Sequence, residues 1–252
     1  MKVLSIDLDY IMSPSIEIYQ SLYFDHNPST RWRTLFEQSP FNENHLDMDI
    51  MEWMYCFNAF VKAIKTAKSV SFGYSHDAIL YELDQYEEPI DLINIDHHDD
   101  IFGGDYDHEY NDENSKEPYQ VEYDQIIHFN RIHEGNWGAW LTSQDKINSF
   151  TWIGNENSRN KGRNPINASL VPNYSNVEKT DYTFENYNFD HIFVCLSPQY
   201  TPQRHWHYFS MFITAFETLK GRDAIIHTDK YETTVRHQLV HNEILHQRSN
   251  GR

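Results

Sequence analysis

Two short segments carry acidic and histidine residues whose spacing is suited to metal chemistry. In the first segment, Asp96, His98 and Asp100 occupy alternate positions. Because side chains alternate between the two faces of a β-strand, these three project to one side if the strand continues. His97 and Asp99 would then project to the other side, where we expect them to support the ligands or to pack. The segment predicts two carboxylates and an imidazole that converge.

Asp7 and Asp9 form the second segment, which follows a short apolar run. We expect them at the carboxyl end of a strand, where open parallel sheets bind their ligands. So many acids at one edge would repel each other and lose solvation, whereas two divalent ions about 3.5 to 4 Å apart would neutralise them. The sequence therefore predicts a two-metal site.

The ligand types narrow the choice of metal. Carboxylates combined with imidazole suit Mn²⁺, and the absence of cysteine ligands argues against a structural zinc site. The same ligand types leave Fe²⁺, Co²⁺ and catalytic Zn²⁺ open. We therefore predict two Mn²⁺ ions.

An alternation of strands and helices is expected to position these residues. The predicted strands cover residues 3–9, 69–74, 90–95, 147–154 and 192–196, and the predicted helices cover 49–68, 78–86, 126–141 and 205–220. The first helix should bury one apolar face, which comprises Ile50, Met54, Phe57, Val61 and Ile64. Polar loops are expected over 105–124 and 155–189. This order predicts an α/β fold with a mostly parallel sheet.

Composition limits the possible functions. A chain of 252 residues with 39% apolar residues can fill one core, so we expect a single domain over residues 1–252. The net charge of −18 opposes nucleic-acid binding and suits a cationic substrate or metal ions. Neither a membrane span nor a signal peptide is apparent, so a cytoplasmic protein is expected. Cys56 and Cys195 lack paired spacing and are expected to be reduced and buried.

The two acidic segments resemble signatures of the ureohydrolase (arginase) superfamily. Its Asp-x-His-x-Asp signature matches Asp96, His98 and Asp100, and its Ser-x-Asp-x-Asp signature matches Ser5, Asp7 and Asp9. The second signature normally comes last but stands first here, as though the order were permuted. The resemblance implies an arginase/deacetylase-like three-layer α/β/α fold with permuted motif order.

His76 is the sixth metal ligand that the resemblance implies. In the superfamily a ligand histidine follows a Gly-rich strand end ahead of the Asp-x-His-x-Asp signature, and Gly73-Tyr74-Ser75-His76 stands in that place. We expect the strands that lead to Asp9, His76 and Asp96 to be adjacent, because shared ions require their ends to converge. One predicted ion binds His76, Asp96, Asp100 and Asp7, and the other binds His98, Asp96, Asp7 and Asp9.

Two further elements resemble substrate loops of the superfamily. Gly135-Asn136-Trp137-Gly138 is similar to Gly-Asn-x-His-Gly, and Ile153-Gly154-Asn155-Glu156-Asn157 is similar to Ile-Gly-x-Arg-Asp. The resemblance implies that Asn136, Asn155 and Glu156 contact the substrate. Trp137-Gly138 lacks the loop histidine, so proton transfer must be assigned to another residue.

Asp100, His133 and Glu52 are the catalytic candidates. His133 precedes the Gly-Asn loop and is either the missing proton shuttle or a solvated loop residue. Glu52 stands three residues after Asp49, so it is either a capping-box partner at a helix start or a carboxylate that binds a guanidinium. The acidic segment 105–124 is either a solvated loop or a docking surface for an arginine-containing peptide.

The permuted order and two further elements resemble the arginase-like family that includes the peptide arginases of ribosomal peptide biosynthesis. These elements are Leu196-Ser197-Pro198-Gln199-Tyr200-Thr201-Pro202 and Glu134-Gly135-Asn136-Trp137. The resemblance covers residues 3 to about 216. It implies hydrolysis of arginine side chains in a precursor peptide to ornithine, with release of urea, by a metal-dependent hydrolase. The oligomeric state stays open.

Two other functions also stay open. Asp96-His97-His98 resembles the signature of the DHH phosphoesterases, which use two Mn²⁺ ions. The usual His-x-x-x-Asp-x-Asp lead-in is missing before Asp7, however, and the negative net charge is unfavourable for phosphate substrates. A non-catalytic, metal-stabilised binding module is the third interpretation, since the loop histidine is absent.

Overall fold

A parallel β-sheet of seven strands forms the centre of the computed structural model. The structure describes residues 1–12, 48–83, 86–101, 135–155, 171–179, 187–198 and 200–227. The strands are β1 (Lys2–Asp7), β2 (Ser69–Gly73), β3 (Ile90–Asp96), β4 (Ile147–Gly154), β5 (Tyr174–Val177), β6 (His191–Cys195) and β7 (Ile225–His227). Their order is β5-β4-β3-β1-β6-β2-β7, and all neighbouring strands are parallel.

Helices cover both faces of this sheet. α1 (Ile50–Ala63) and α4 (Trp206–Lys220) pack on one face, and α2 (Leu80–Leu83) and α3 (Trp137–Ser143) pack on the other. The interior strand β6 is buried along its whole length because it is covered on both faces. The predicted three-layer α/β architecture is confirmed. A single domain over residues 1–252 stays a prediction, since it extends beyond the described residues.

The buried face of α1 agrees in part with the predicted face. Ile50 and Met54 are 51% and 45% exposed, whereas Phe57 and Val61 are partly buried against the core and Ile64, just after the helix, is fully buried. The positions that α1 itself buries are Glu52, Cys56, Ala59, Phe60 and Ala63. Phe60 packs edge-on against Phe72 and Phe212. The predicted face is therefore exposed at its N-terminal end and buried at its C-terminal end.

Three features of the sheet correct the predictions for the strands that carry the ligands. β1 ends at Asp7 rather than Asp9, which lies in the 3₁₀ turn Leu8–Ile11. β3 ends at Asp96 and does not continue through the later ligands. β6 lies between β1 and β2, so the strand that leads to His76 is not adjacent to β1. A turn rather than a continued strand therefore positions several ligands.

Two strands lie where none was predicted. β5 lies within the segment 155–189, which was predicted to be a polar loop, and β7 follows the last predicted strand. Both occupy the ends of the strand order, and neither contains a fully buried residue. Partly exposed edge strands need no apolar run, so their sequences carry little strand signal.

The helices begin or end at different residues than predicted. α1 ends at Ala63, and the helix predicted over 78–86 is the 3₁₀ turn His76–Ile79 followed by α2. Of the helix predicted over 126–141, the described part is α3, and residues 102–134 lie outside the described residues. In the described ranges, no helix has both the length and the apolar character needed to cross a bilayer. Cys56 and Cys195 are free and buried, as predicted.

The chain leaves the sheet after β1 and returns to α1 at adjacent points. Met12 and Met48 form an antiparallel bridge, and the backbone N–H of Asp49 donates to the Ile11 carbonyl at 2.8 Å. The Asp49 side chain caps α1 by accepting from two backbone N–H groups of its first turn. These bonds fix the start of α1 beside the turn that follows β1.

Candidate metal centre

The centre begins where two neighbouring parallel strands end. Asp7 is the last residue of β1 and Asp96 is the last residue of β3, and the preceding Ile6 and Ile95 are register partners. Both carboxylates are buried. Parallel strands present their carboxyl ends at the same edge of a sheet, which explains why the two acids meet.

His76 adds an imidazole to this edge. It begins the 3₁₀ turn that follows β2. Its Nδ1 lies within 3.1 Å of one oxygen from each of three carboxylates, those of Asp7, Asp96 and Asp100. At the opposite side of the ring, Nε2 makes a 2.6 Å hydrogen bond with Ser5 Oγ. Because the hydroxyl holds Nε2, Nδ1 is the nitrogen that an ion would bind.

Gly73 permits the close packing around this histidine. A Cβ at Gly73 would lie 2.6 Å from Cζ of Phe193 and 3.1 Å from the Cβ of Ala78. The Phe193 ring is nearly parallel to the His76 ring, with 6.0 Å between centroids. A side chain at Gly73 would displace this ring, which forms one wall of the histidine's position.

A second group of ligands forms around the other oxygen of Asp96. His98 Nδ1 lies 3.0 Å from Asp9 Oδ2 and 3.9 Å from Asp96 Oδ1. The ligand atoms of Asp9, Asp96 and His98 lie within 4.8 Å of one another, and so do those of Asp7, His76 and Asp96. Asp96 is shared, because its Oδ2 faces His76 while its Oδ1 faces His98. Both groups could hold metal ions.

Buried atoms without hydrogen bonds indicate that these groups suit metal ions. His76 Nδ1 and Asp9 Oδ2 are buried and lie within 3.1 Å of carboxylate oxygens and at 3.0 Å from His98 Nδ1, respectively, but neither makes a hydrogen bond of suitable geometry among the described residues. Buried polar atoms in folded proteins usually have a well-directed partner. A divalent ion bonded to them would supply such a partner and reduce the repulsion between the carboxylates. Carboxylate oxygens and imidazole nitrogens are ligands that divalent transition metals accept.

Burial and mutual repulsion raise the proton affinity of the centre. Burial, reinforced by the Asp96 carboxylate, raises the pKa of Asp9 to about 6. Burial and the Asp100 charge raise the pKa of Asp96 above its usual value. Burial alone would lower the pKa of His98, but the Asp9 carboxylate raises it to about 10. His98, and in part Asp96, whose pKa is about 7, therefore hold a proton near neutral pH, and a binding ion must displace it.

Trp137 contacts the centre, although the sequence analysis assigns it no role. Its indole Nε1–H donates to Asp100 Oδ2 at 2.7 Å, and its ring centroid lies 4.8 Å from that of His76. The backbone N–H of Gly138 donates to the Asp100 carbonyl at 3.0 Å. Asp100 itself has a left-handed backbone conformation with φ of 55°. The Gly-Asn-Trp-Gly element thus holds a ligand in place after β3 has ended.

Ser197 is a second contact that the sequence analysis missed. It lies two residues after the end of β6, and its hydroxyl donates to Asp7 Oδ2 at 2.5 Å. The feature of the sequence that could have indicated Ser197 is its place directly after a predicted buried strand, whose carboxyl end lies at the same sheet edge as Asp7. A hydroxyl donor obeys no spacing rule that would identify its partner along the chain.

The structure buries two of the predicted substrate contacts. Asn136 and Asn155 are both buried. Asn155 Nδ2 donates to the Tyr10 carbonyl at 2.7 Å and so stabilises the turn after β1. Glu156 and the proposed proton shuttle His133 lie outside the described residues. The roles of these residues in substrate binding and proton transfer stay predictions.

Glu52 is buried in the first turn of α1, where its Oε1 pairs with Nζ of Lys179. It does not complete a capping box, because the Asp49 backbone N–H donates to Ile11. Its Oε2 is buried without a hydrogen-bond partner among the described residues. A guanidinium-binding role for Glu52 stays a prediction.

His97 and Asp99 lie outside both ligand groups. The backbone N–H of His97 donates to Asp9 Oδ1 at 3.3 Å. Burial raises the pKa of Asp99 to about 6. Their placement agrees with the predicted supporting role, although β3 ends before them.

Comparisons with protein-family models, with curated proteins and with solved structures find no match to this chain. The function is therefore inferred from the geometry of the centre and from the sequence signatures.

Proposed function

We propose that the chain is a metal-dependent hydrolase that converts arginine side chains of a peptide to ornithine and releases urea. The observation that carries this proposal is the division of Asp96 between two ligand groups, one with Asp7 and His76 and one with Asp9 and His98. A carboxylate shared in this way is typical of two-metal hydrolytic centres. The arginase-like signatures of the sequence indicate which hydrolysis this would be.

Two Mn²⁺ ions are the proposed metals. Asp100 joins the first group because its Oδ2 lies 2.7 Å from His76 Nδ1. Asp96 and Asp7 are the proposed bridging ligands. The mixture of carboxylate and imidazole ligands supports Mn²⁺, and Fe²⁺, Co²⁺ or Zn²⁺ are the alternatives that metal analysis would distinguish.

The proposed reaction breaks the bond between the guanidinium carbon and the side-chain Nε of arginine. Bound divalent ions would lower the pKa of water and so would supply a nucleophile near neutral pH. The water oxygen would bond to the guanidinium carbon as the bond from that carbon to Nε breaks. A proton that the water gives up would pass to the departing Nε, which leaves urea and the ornithine amine. Asp100, which accepts the Trp137 N–H, is the described carboxylate proposed for this proton transfer.

The substrate proposal rests on charge as well as on the signatures. With a net charge of −18, the protein would attract a cationic arginine-containing peptide and repel phosphate esters. The ligands lie at the carboxyl edge of a parallel sheet, which is the usual binding edge for substrates of this architecture. Bound ions would neutralise the buried acids at this edge. The guanidinium of an arginine side chain would then bind beside them.

A urea-release assay tests the proposal. The purified chain, loaded with Mn²⁺, is incubated separately with arginine, agmatine and an arginine-containing peptide, and a phosphodiester serves as the comparison substrate. We expect urea from the peptide, with mass spectrometry showing ornithine in place of arginine. Phosphodiester cleavage without urea release would support the phosphoesterase alternative and overturn the proposal. Metal binding without turnover of any of these substrates would indicate a binding module.

A further inference from the structure

Ser197 adopts a backbone conformation that serine rarely uses. Its φ is 44°, in the left-handed region where a Cβ crowds the backbone and glycine is the usual residue. It lies beyond the end of β6, between the strands that lead to Asp7 and to His76. Non-glycine residues in such conformations concentrate at functional sites, where a side chain is needed despite the strain.

The Ser197 side chain is directed at a ligand of the centre. Its buried hydroxyl donates to Asp7 Oδ2 at 2.5 Å, and the same oxygen lies 3.1 Å from His76 Nδ1. The other oxygen, Asp7 Oδ1, accepts the backbone N–H of Asp9 at 3.1 Å. Both oxygens of this carboxylate are therefore held, and Ser197 holds the one that faces the histidine.

Cys195 extends this arrangement by one further contact. Its Sγ lies 3.2 Å from Ser197 Oγ. The hydroxyl has one proton, which it donates to the Asp7 carboxylate, so the thiol is the donor in the contact between Cys195 and Ser197. The thiol of Cys195 thus donates to the hydroxyl of Ser197, which in turn donates to the carboxylate of Asp7. These two contacts fix the direction of the serine hydroxyl.

We infer that Ser197 is a positioning residue that orients Asp7 for metal binding, an inference that rests on the metal centre proposed above. Its backbone has a separate role, since the Ser197 carbonyl accepts the N–H groups of Tyr200 and Thr201 at 2.9 Å and 2.8 Å. Glycine would perform that backbone role equally well and without strain. The hydroxyl is what glycine could not supply.

This separation of roles gives a direct test. Ser197→Gly removes the hydroxyl and relieves the backbone, whereas Ser197→Thr restores a hydroxyl on a β-branched side chain. Asp145→Gly is the matched control, because Asp145 has φ of 55° but is exposed and lies outside the centre. Each full-length variant is stripped of metal and then titrated with Mn²⁺ by calorimetry, with thermal unfolding of the metal-free form measured in parallel.

We expect Ser197→Gly to bind Mn²⁺ about 10- to 100-fold more weakly, as is usual when a partner of a metal ligand is lost. In the metal-free form, relief of the backbone strain should offset part of the destabilisation caused by losing the hydrogen bond to Asp7. Asp145→Gly relieves similar strain without removing a contact of the centre, so it should bind Mn²⁺ with unchanged affinity. Ser197→Thr should recover affinity despite a lower unfolding temperature. Wild-type Mn²⁺ affinity in Ser197→Gly overturns the inference alone. Absence of Mn²⁺ binding by the wild type overturns the metal centre and the inference together.

Discussion

Two buried histidines near opposite ends of one sheet have contrasting surroundings. His76, at the carboxyl edge, faces three carboxylates, whereas His191, at the start of β6, has the hydroxyls of Ser69 and Ser71 at 2.8 Å and 3.1 Å from its ring nitrogens. Burial alone would lower the pKa of His76, but the Asp100 carboxylate raises it well above its usual value. With neutral hydroxyls as partners, burial lowers the pKa of His191 to about 4.

The contrast shows that burial does not by itself determine the charge of an imidazole. Both ring nitrogens of His191 have neutral hydroxyl partners. The carboxyl edge instead concentrates charges that an ion must balance. The two regions also respond to pH with opposite signs. Because the pKa of His191 is lowered in the folded chain, its contribution to stability is complete above about pH 6.5 and is lost as the pH falls towards 4. Because the pKa of Asp9 is raised, its contribution to stability is complete below about pH 4 and is lost as the pH rises through 6.

Replacing metal ligands should give the largest difference between the two regions. We expect Asp7→Asn, Asp96→Asn and His98→Ala each to abolish urea release, because an amide or a missing ligand cannot balance the metal charge or lower the pKa of water. Asp99→Asn should retain much of the activity, since Asp99 lies outside both ligand groups. The measurement is kcat for urea release.

His191→Asn is the control for these ligand variants, because it replaces an equally buried histidine that contacts no carboxylate ligand. It should retain urea release at pH 7.5. If Asp99→Asn is as inactive as Asp96→Asn, the assignment of ligands within the segment that follows β3 is wrong.

Metal removal should affect stability through the carboxyl edge alone. At Mn²⁺ concentrations about 100 times the dissociation constant, binding stabilises the folded chain by about 2.7 kcal/mol. We expect a chelator to remove this stabilisation in the wild type and to have no effect on Asp96→Asn. Binding should also weaken below about pH 6, where Asp9 takes up a proton. Urea unfolding curves with and without Mn²⁺ measure both effects, and equal shifts in wild type and variant would contradict them.

The pH response of the opposite region should be similar in size to the effect of metal removal. One pKa unit corresponds to about 1.4 kcal/mol, so the change from 6.5 to about 4 in His191 predicts a loss of about 3 kcal/mol between pH 7.5 and 4. His191→Asn should lose less over that interval, because asparagine does not titrate. Both proteins are compared in chelator, so the ligand acids contribute equally and cancel in the difference. Identical pH slopes would show that His191 is not held neutral.

The smallest expected effect comes from Trp137→Phe, which keeps an aromatic ring and removes the N–H that Asp100 accepts. Loss of a hydrogen bond to a charged group should lower the free energy of unfolding by about 1.5 kcal/mol. Mn²⁺ affinity should fall by about tenfold. Trp140→Phe is the matched control in the same helix, because Trp140 Nε1 is buried without a hydrogen-bond partner among the described residues. Equal losses in both variants would assign Trp137 a packing role alone.

The sequence predicted which acidic and histidine residues gather at this sheet edge better than it predicted the structure that assembles them. Asp96, His98 and Asp100 do converge, but not along a continued strand. β3 ends at Asp96, and a turn with Asp100 in a left-handed conformation brings the later ligands back. A continued strand and the observed turn would both bring these three residues together. The pattern of residue types in the sequence therefore could not show which of the two structures forms.

The contacts of Ser197 and Trp137 could not be predicted, because their partners are distant in sequence. Ser197 is 190 residues from Asp7, and Trp137 is 37 residues from Asp100. The N-terminal part of the buried face of α1 escaped prediction for another reason. Two sets of residues on that helix share the helical period, and periodicity alone cannot choose between them.

The bridge between Met12 and Met48 and the bond from the Asp49 N–H to the Ile11 carbonyl tie together two points that are distant in sequence. The entropy cost of closing such a loop grows only with the logarithm of its length. Joining the turn after β1 to the start of α1 across this long separation therefore costs the folding chain little more than a short connection would. The position of Asp9 is thus secured from outside its own strand at a small entropic cost.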